Sequence, residues 1–168
     1  MRKSMHRTYL AAPQGQRGVY ALEWAIIFPV FFALLYASIS YGLTFLVRES
    51  MQMAVEDAAR VTLRYQTTRT GRLDAARTLV QQRMGWLPAN LRPAAAAIDV
   101  RICRLNDSNL CSATLTCGVP LNERCVVQVG MSIPYGAHPI APALPGLRIL
   151  VPATLTARAS ILVDKGGL

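Results

Sequence analysis

The sequence predicts an α+β protein with a long amino-terminal helix, a second short helix and a small antiparallel β-sheet with disulfides. Three observations support this fold class. An uncharged apolar run fills residues 25–47. Apolar residues then recur at helical intervals, and the last third of the chain alternates apolar and polar residues as strands do.

The apolar run is long enough to cross a membrane. From Ala25 to Val47 the chain has 23 residues without Asp, Glu, Lys, Arg or His, and as a helix they span about 34 Å. The preceding residues hold no acid up to position 18 and carry four basic residues, Arg2, Lys3, Arg7 and Arg17. The positive-inside rule therefore predicts a basic cytoplasmic leader (1–18), a transmembrane helix (19–47) and an extracytoplasmic head (48–168).

A secretory signal peptide is the alternative interpretation of the amino-terminal region. Residues 1–40 would then form a signal peptide with an unusually long basic region. Cleavage would follow the small residues at its end, Ala37, Ser38 and Ser40.

The first helix is predicted to continue beyond the apolar run. One side of its second half is apolar, with Met51, Ala54, Val55, Ala58, Val61, Thr62 and Tyr65 at three- and four-residue intervals. We expect one helix from about Val19 to Arg64. A second helix is predicted from Leu73 to Met84, because Gly85 and Pro88 end its pattern.

Three segments alternate as strands with one apolar face: 98–103, 125–133 and 151–163. They predict a small antiparallel sheet whose inner face needs a cover. The amphipathic half of the first helix is the expected cover. The prolines between residues 136 and 148 predict a stiff connection between the last two strands.

All four cysteines lie within residues 103–125, at Cys103, Cys111, Cys117 and Cys125. An even number of cysteines in an oxidising compartment predicts two disulfides, with three possible connectivities. We favour the nested pairing, Cys103 with Cys125 and Cys111 with Cys117, because it would staple the base of a hairpin loop. The spacing lacks the Cys-x-x-Cys pattern of structural zinc sites, so no metal is expected.

Charge and motifs argue against nucleic-acid binding and catalysis. The formal charge is +9, but four basic residues lie in the leader and no basic helix with interleaved aromatic residues follows. The sequence has no phosphate loop, no His-Glu-x-x-His and no Gly-x-Ser-x-Gly. We therefore expect no enzyme activity, no cofactor and no nucleic-acid partner.

A short sequence motif begins where the leader ends. Gly18 and Val19 are followed by Glu23 and the aromatic Trp24, and then by the apolar run. This order resembles the type IV prepilin signal. More closely, "ALEWAIIFPVFFALLYASISYG", residues 21–42, resembles the TadE family of pilin-like proteins of tight-adherence pili, which shares Ala21, the glutamate–aromatic pair, Pro29 and Gly42.

The resemblance implies a minor pilin or pseudopilin of the bacterial inner membrane. A prepilin peptidase would cut between Gly18 and Val19, and Glu23, beside Trp24, would meet the new amine of a neighbouring subunit. Each charge would then offset the burial of the other in lipid. Other implied partners are a major Flp-type pilin, other minor pilins and the inner-membrane pilus platform.

Two of these residues have a second interpretation. Glu23 can be a carboxylate in the headgroup layer of an ordinary membrane anchor, at a cost of a few kcal/mol that makes such residues rare. Pro29 can be a kink used when the helix leaves the membrane, or a proline tolerated in a membrane helix.

The rival hypothesis is a single-pass inner-membrane protein whose disulfide-stabilised periplasmic domain binds a ligand and has no filament role. It predicts that residues 1–18 stay attached and that Glu23 can be replaced without loss. A membrane-anchored hydrolase is the least favoured option, because no catalytic cluster can be assembled around His138.

Overall fold

The computed structural model describes residues 17–64, 68–107, 109–112, 115–118, 120, 123–142 and 151–163. The chain divides into two compact units, Met1–Ile39 and Ser40–Leu168. The predicted fold class is confirmed by five main elements: α1 (Arg17–Val61), α2 (Arg69–Arg83), β1 (Ile98–Arg104), β2 (Cys125–Ile133) and β3 (Leu155–Val163). Most of the predicted leader and residues 143–150 of the predicted connection lie outside the described residues.

α1 is one uninterrupted helix of 45 residues, as the sequence predicts, and it ends three residues before the predicted Arg64. Thr62 explains the stop, because its hydroxyl donates to the carbonyl of Ala59 at 2.6 Å and competes with the helical backbone. The next two amides, of Leu63 and Arg64, bond to carbonyls three residues back at 3.1 and 3.0 Å. The last turn therefore tightens and ends the helix.

α2 begins one turn earlier than the sequence predicts. The Thr68 hydroxyl accepts a hydrogen bond from the amide of Gly71 at 3.2 Å and so caps the helix start. The predicted apolar face is confirmed, because Leu73, Ala76, Val80 and Met84 are all buried.

The three strands form one antiparallel sheet in the order β1-β2-β3. In its register Val100 faces Val129, which faces Ala159 on the far side. The limits of β2 match the prediction, β1 runs one residue further than predicted, to Arg104, and β3 begins at Leu155 and not at residue 151. Leu155 pairs with Ile133, the last residue of β2, and the chain beyond Ile133 turns into a single helical turn at Tyr135–Ala137, which accounts for the later start.

The core lies between the inner face of the sheet and both helices. The second half of α1 and the apolar face of α2 contribute to one cluster with the inward residues of the strands. Val47 is 1% exposed and belongs to this cluster. The second unit thus includes residues 40–47, the last two turns of the apolar run.

The disulfides are confirmed, but the favoured nested pairing is wrong. Cys103 bonds to Cys111 and Cys117 bonds to Cys125. Cys103 follows inward-facing Ile102, so its side chain lies on the outer face, whereas Cys125 belongs to the core cluster inside. Successive strand residues point to opposite faces, and Cys103 and Cys125 therefore cannot meet across the sheet.

Candidate functional site

The predicted cleavage site lies at the start of α1, in the first unit. The described part of α1 starts at Arg17, and the peptide bond between Gly18 and Val19 lies within it.

Packing among the described residues does not require a glycine at position 18. A Cβ added there would meet none of their atoms within 4 Å, and Val19 is 66% exposed. Within the described part of the chain, both residues that the sequence predicts to flank a cut are accessible.

Glu23 is an exposed carboxylate one helical turn beyond Val19. Residues four apart lie on the same helix face, and side chains lean toward the amino end of their helix. Glu23 is also the only Asp, Glu, Lys, Arg or His between Arg17 and Arg48. An amine created at Val19 would therefore lie on the face that carries the single carboxylate of the apolar segment.

Trp24 and Pro29 lie farther along the same helix. Trp24 is 67% exposed, so its indole is available to a neighbouring chain or to lipid. α1 stays helical through Pro29, although proline has no amide proton and leaves the carbonyl of Ala25 without its usual helical donor. The weakened turn at Pro29 is compatible with the predicted kink, which stays a prediction.

Two neighbouring rows of residues on α1 escaped the sequence analysis. One row, at intervals of four, is aromatic throughout: Tyr20, Trp24, Phe28, Phe32 and Tyr36. The row beside it is small: Ala21, Ala25, Pro29, Ala33 and Ala37. Reading the sequence at intervals of four would have identified both rows.

These rows give the apolar segment a ridge and a groove. The rings of Phe28 and Phe32 stack, with their centroids 6.3 Å apart and an interplanar angle of 21°. Rows at intervals of four form the ridges of helix packing, and small residues let a second backbone approach closely. The two rows thus present bulky and small side chains next to each other on the apolar segment of α1.

The four cysteines belong to the second unit, where both disulfides stabilise the sheet end of the chain. Across the described ranges, no group of three or more His, Cys, Asp and Glu side chains is placed to hold a metal ion. His138 is an exposed residue that follows a single helical turn after β2. The predicted residues of the amino-terminal site all lie on α1.

α1 is also a candidate membrane span. Its length and composition are sufficient to cross a bilayer, and its most apolar window has no buried residue. The part of α1 in the first unit, residues 18–39, is about 33 Å long at 1.5 Å per residue. This finding fits a membrane-anchored protein.

The comparison with known families agrees with the resemblance of residues 21–42. Residues 18–60 match the family described as TadE-like protein, and this match confirms the resemblance. It covers 43 of the 168 residues, all of them in α1. No curated protein and no solved structure matches the chain.

The matched family is one of pilus components and is not known for enzymes. The similarity to this family is limited to residues 18–60 of the chain. The matched range starts at Gly18 and contains Glu23, Trp24 and Pro29, so it includes every candidate residue of the amino-terminal site.

Proposed function

We propose that the protein is a minor pilin or pseudopilin of a tight-adherence, type IVb pilus system. The observation that carries this proposal is the TadE-like match over residues 18–60. The matched range begins at Gly18, and Val19 and Glu23 are exposed residues of the apolar helix α1. The protein would then act as a substrate and as a subunit, and not as a catalyst.

In this proposal the protein enters the bacterial inner membrane as a single-pass protein with its amino terminus in the cytoplasm. The basic residues before position 18 support this orientation. The head, residues 48–168, lies outside the cytoplasm, where an oxidising environment keeps both disulfides closed.

The proposed processing step is cleavage of the bond between Gly18 and Val19 by a prepilin peptidase. Water adds across this peptide bond, so the leader leaves with a carboxylate at Gly18 and the mature chain begins with the amine of Val19. The open space that the described residues leave around Gly18 supports cleavage, because a protease has to reach this bond.

Assembly would then bring the amine of Val19 on one subunit to the carboxylate of Glu23 on another. Burying either charge alone in a lipid or protein interior costs free energy, and pairing the two charges offsets that cost. The aromatic and small-residue rows of α1 supply the apolar part of the same contact. The proposed neighbours are a major Flp-type pilin, other minor pilins and the inner-membrane platform.

The head would serve at the start or tip of an assembly, in priming, in joining subunits or in adhesion. A packed unit with two disulfides supports this role, because such a unit survives outside the cell.

Glu23 variants test the proposal. We expect Glu23→Gln to be processed normally but to fall about a hundredfold or more in the sheared pilus fraction, since removing one partner of a buried ion pair costs roughly 3–5 kcal/mol. Quantitative immunoblotting of sheared and membrane fractions measures this loss, and mass spectrometry of the membrane-bound protein reports processing.

Glu49→Gln is the matched control, because Glu49 is an exposed acid on the same helix, just beyond the apolar run. It should leave the amount in the pilus fraction unchanged. If Glu23→Gln and Glu49→Gln both assemble like the natural protein, Glu23 is not an assembly contact. The rival hypothesis of a membrane-anchored binding domain would then be favoured.

A further inference from the structure

The two edges of the sheet differ in whether another part of the chain bonds to their backbone. At β1, backbone bonds extend the sheet onto the following loop: the Arg104 amide donates to Leu110 at 3.0 Å and the Ser112 amide donates to Ile102 at 2.9 Å. The disulfide between Cys103 and Cys111 fixes this loop in place. The end of the β1 edge is thus covered, as edge strands of soluble domains usually are.

β3 has an open edge. Within the described residues it pairs only with β2, and alternate residues of an antiparallel strand turn their N–H and C=O away from the partner. The Arg158 carbonyl identifies the outward set, because it accepts from the Gln52 side chain on α1 at 3.2 Å. Because the direction alternates along the strand, the backbone N–H and C=O groups of Thr156, Ser160 and Leu162 also point away from β2.

A groove of about 420 Å³ lies along this edge, between α1 and β3. Ala59, Ala159 and Ile161 supply its small and apolar surface. Ala159 and Ile161 face inward but are only half-buried, whereas the inward residues nearer the strand ends, such as Ala157 and Val163, are buried. The middle of β3 therefore lacks part of the cover that its ends have.

The rim of the groove has an excess of positive charge. Arg60 and Arg158 line it together with a single acid, Glu56, whose carboxylate accepts from Gln52 at 2.9 Å. β3 itself contains no Asp or Glu. A second copy of β3 would therefore bring another arginine and no acid to this edge.

We propose that the open edge of β3 binds an extended acidic peptide segment of a partner protein as a fourth strand. The outward backbone groups of β3 form the main-chain bonds of strand addition. Alternate side chains of the segment enter the apolar groove, and an acidic side chain on the other face pairs with Arg158. The β1 edge is less suited to this role, because its own loop already bonds to the outward groups of Ile102 and Arg104.

Peptide binding to the full-length protein in detergent micelles tests the proposal. The probe is a short fluorescent peptide of alternating valine and glutamate, and the comparison probe has lysine in place of glutamate. Fluorescence anisotropy should show the acidic peptide binding about fivefold more tightly, as expected of an opposed-charge cross-strand pair. Equal affinity for the two peptides would overturn the proposal.

Charge reversal locates the binding edge. Arg158→Glu should reverse the preference between the two peptides. Arg101→Glu is the matched control, because Arg101 is an exposed arginine of the same outer sheet face on β1. It should keep the preference for the acidic peptide. An equal effect of both variants would mean attraction to the overall charge and would contradict docking at β3.

The backbone contribution is tested at Ser160, whose amide points to the open edge. Ser160→Pro removes this amide without breaking a bond to β2 and should abolish binding of the acidic peptide, because proline is tolerated at edges but cannot donate. Ser160→Ala keeps the amide and should bind normally. Circular dichroism confirms that each variant folds.

Two further results would contradict the proposal. One is unchanged binding by folded Ser160→Pro. The other is self-association of the natural protein in sedimentation experiments that Ser160→Pro abolishes, since a second copy would then occupy the edge.

Discussion

Single and double cysteine variants measure how each disulfide stabilises the head. Each bond joins residues eight apart in sequence, and the chain-entropy model then gives about 2.5 kcal/mol for each bond. Cys103→Ser, Cys111→Ser and the double variant should all lose this same amount, because they break the same bond. Cys103→Ser combined with Cys125→Ser breaks two bonds and should lose about 5 kcal/mol.

Guanidinium unfolding of the full-length protein in detergent, followed by circular dichroism, provides these free energies. Cys103 and Cys125 are both fully buried, so a hydroxyl is desolvated at either position and Cys103→Ser and Cys125→Ser should cost similar amounts. The reasoning fails if Cys103→Ser and Cys125→Ser together cost no more than either alone. Non-reducing peptide mapping that links Cys103 to Cys125 would refute it directly.

The contact between the last turns of the apolar run and the turn after β2 gives two further predictions. Tyr135 is 1% exposed and its hydroxyl lies 3.2 Å from that of Thr44, so Tyr135→Phe should lower the free energy of unfolding by about 1 kcal/mol in denaturant titrations. No change would mean that the two hydroxyls do not interact. Gly136→Ala should lower the thermal midpoint with a loss of about 1–3 kcal/mol, because its Cβ would lie 2.9 Å from the Cα of Ala153. A midpoint equal to that of the natural protein would contradict this close approach.

Much of the fold is predictable from periodicity because burial on one face imposes it. The helical repeat along α1 predicts the buried face that includes Met51 and Val55, and strand alternation predicts the limits of β2 without error. The ends of α1 and α2 differ from the prediction because hydrogen bonds of local side chains determine them. The Thr62 hydroxyl stops α1 early, and the Thr68 cap starts α2 a turn sooner.

The disulfide pairing was within reach of the sequence but was missed. The alternation that places Ile102 inside also places Cys103 outside, while Cys125 shares its face with Val127. A pairing chosen from loop closure alone ignored this parity. Applying the strand period to the cysteines would have excluded the nested arrangement.

The candidate site was predictable for a different reason. Gly18, Glu23 and Pro29 interrupt an otherwise apolar pattern, and such interruptions are visible in a linear sequence. The open edge of β3 was not predictable, because strand order and the position of α1 depend on tertiary packing. Arg158 becomes informative only when its carbonyl is seen to accept from Gln52.

The apolar run is divided between the two compact units. Residues 18–39 belong to the first unit and expose the aromatic and small-residue rows. Residues 40–47 belong to the second unit, where Val47 enters the core and Thr44 reaches Tyr135. α1 thus contributes residues to both units.

The most direct test of the account is the amino terminus of the mature protein. Intact mass and amino-terminal sequencing of the protein from native membranes should be compared with the prepilin peptidase gene present and deleted. The account predicts a chain that begins at Val19 only when the peptidase is present. A chain that begins at Met1 in both strains would contradict it, and a chain that begins near Tyr41 would show that the apolar run is a signal peptide.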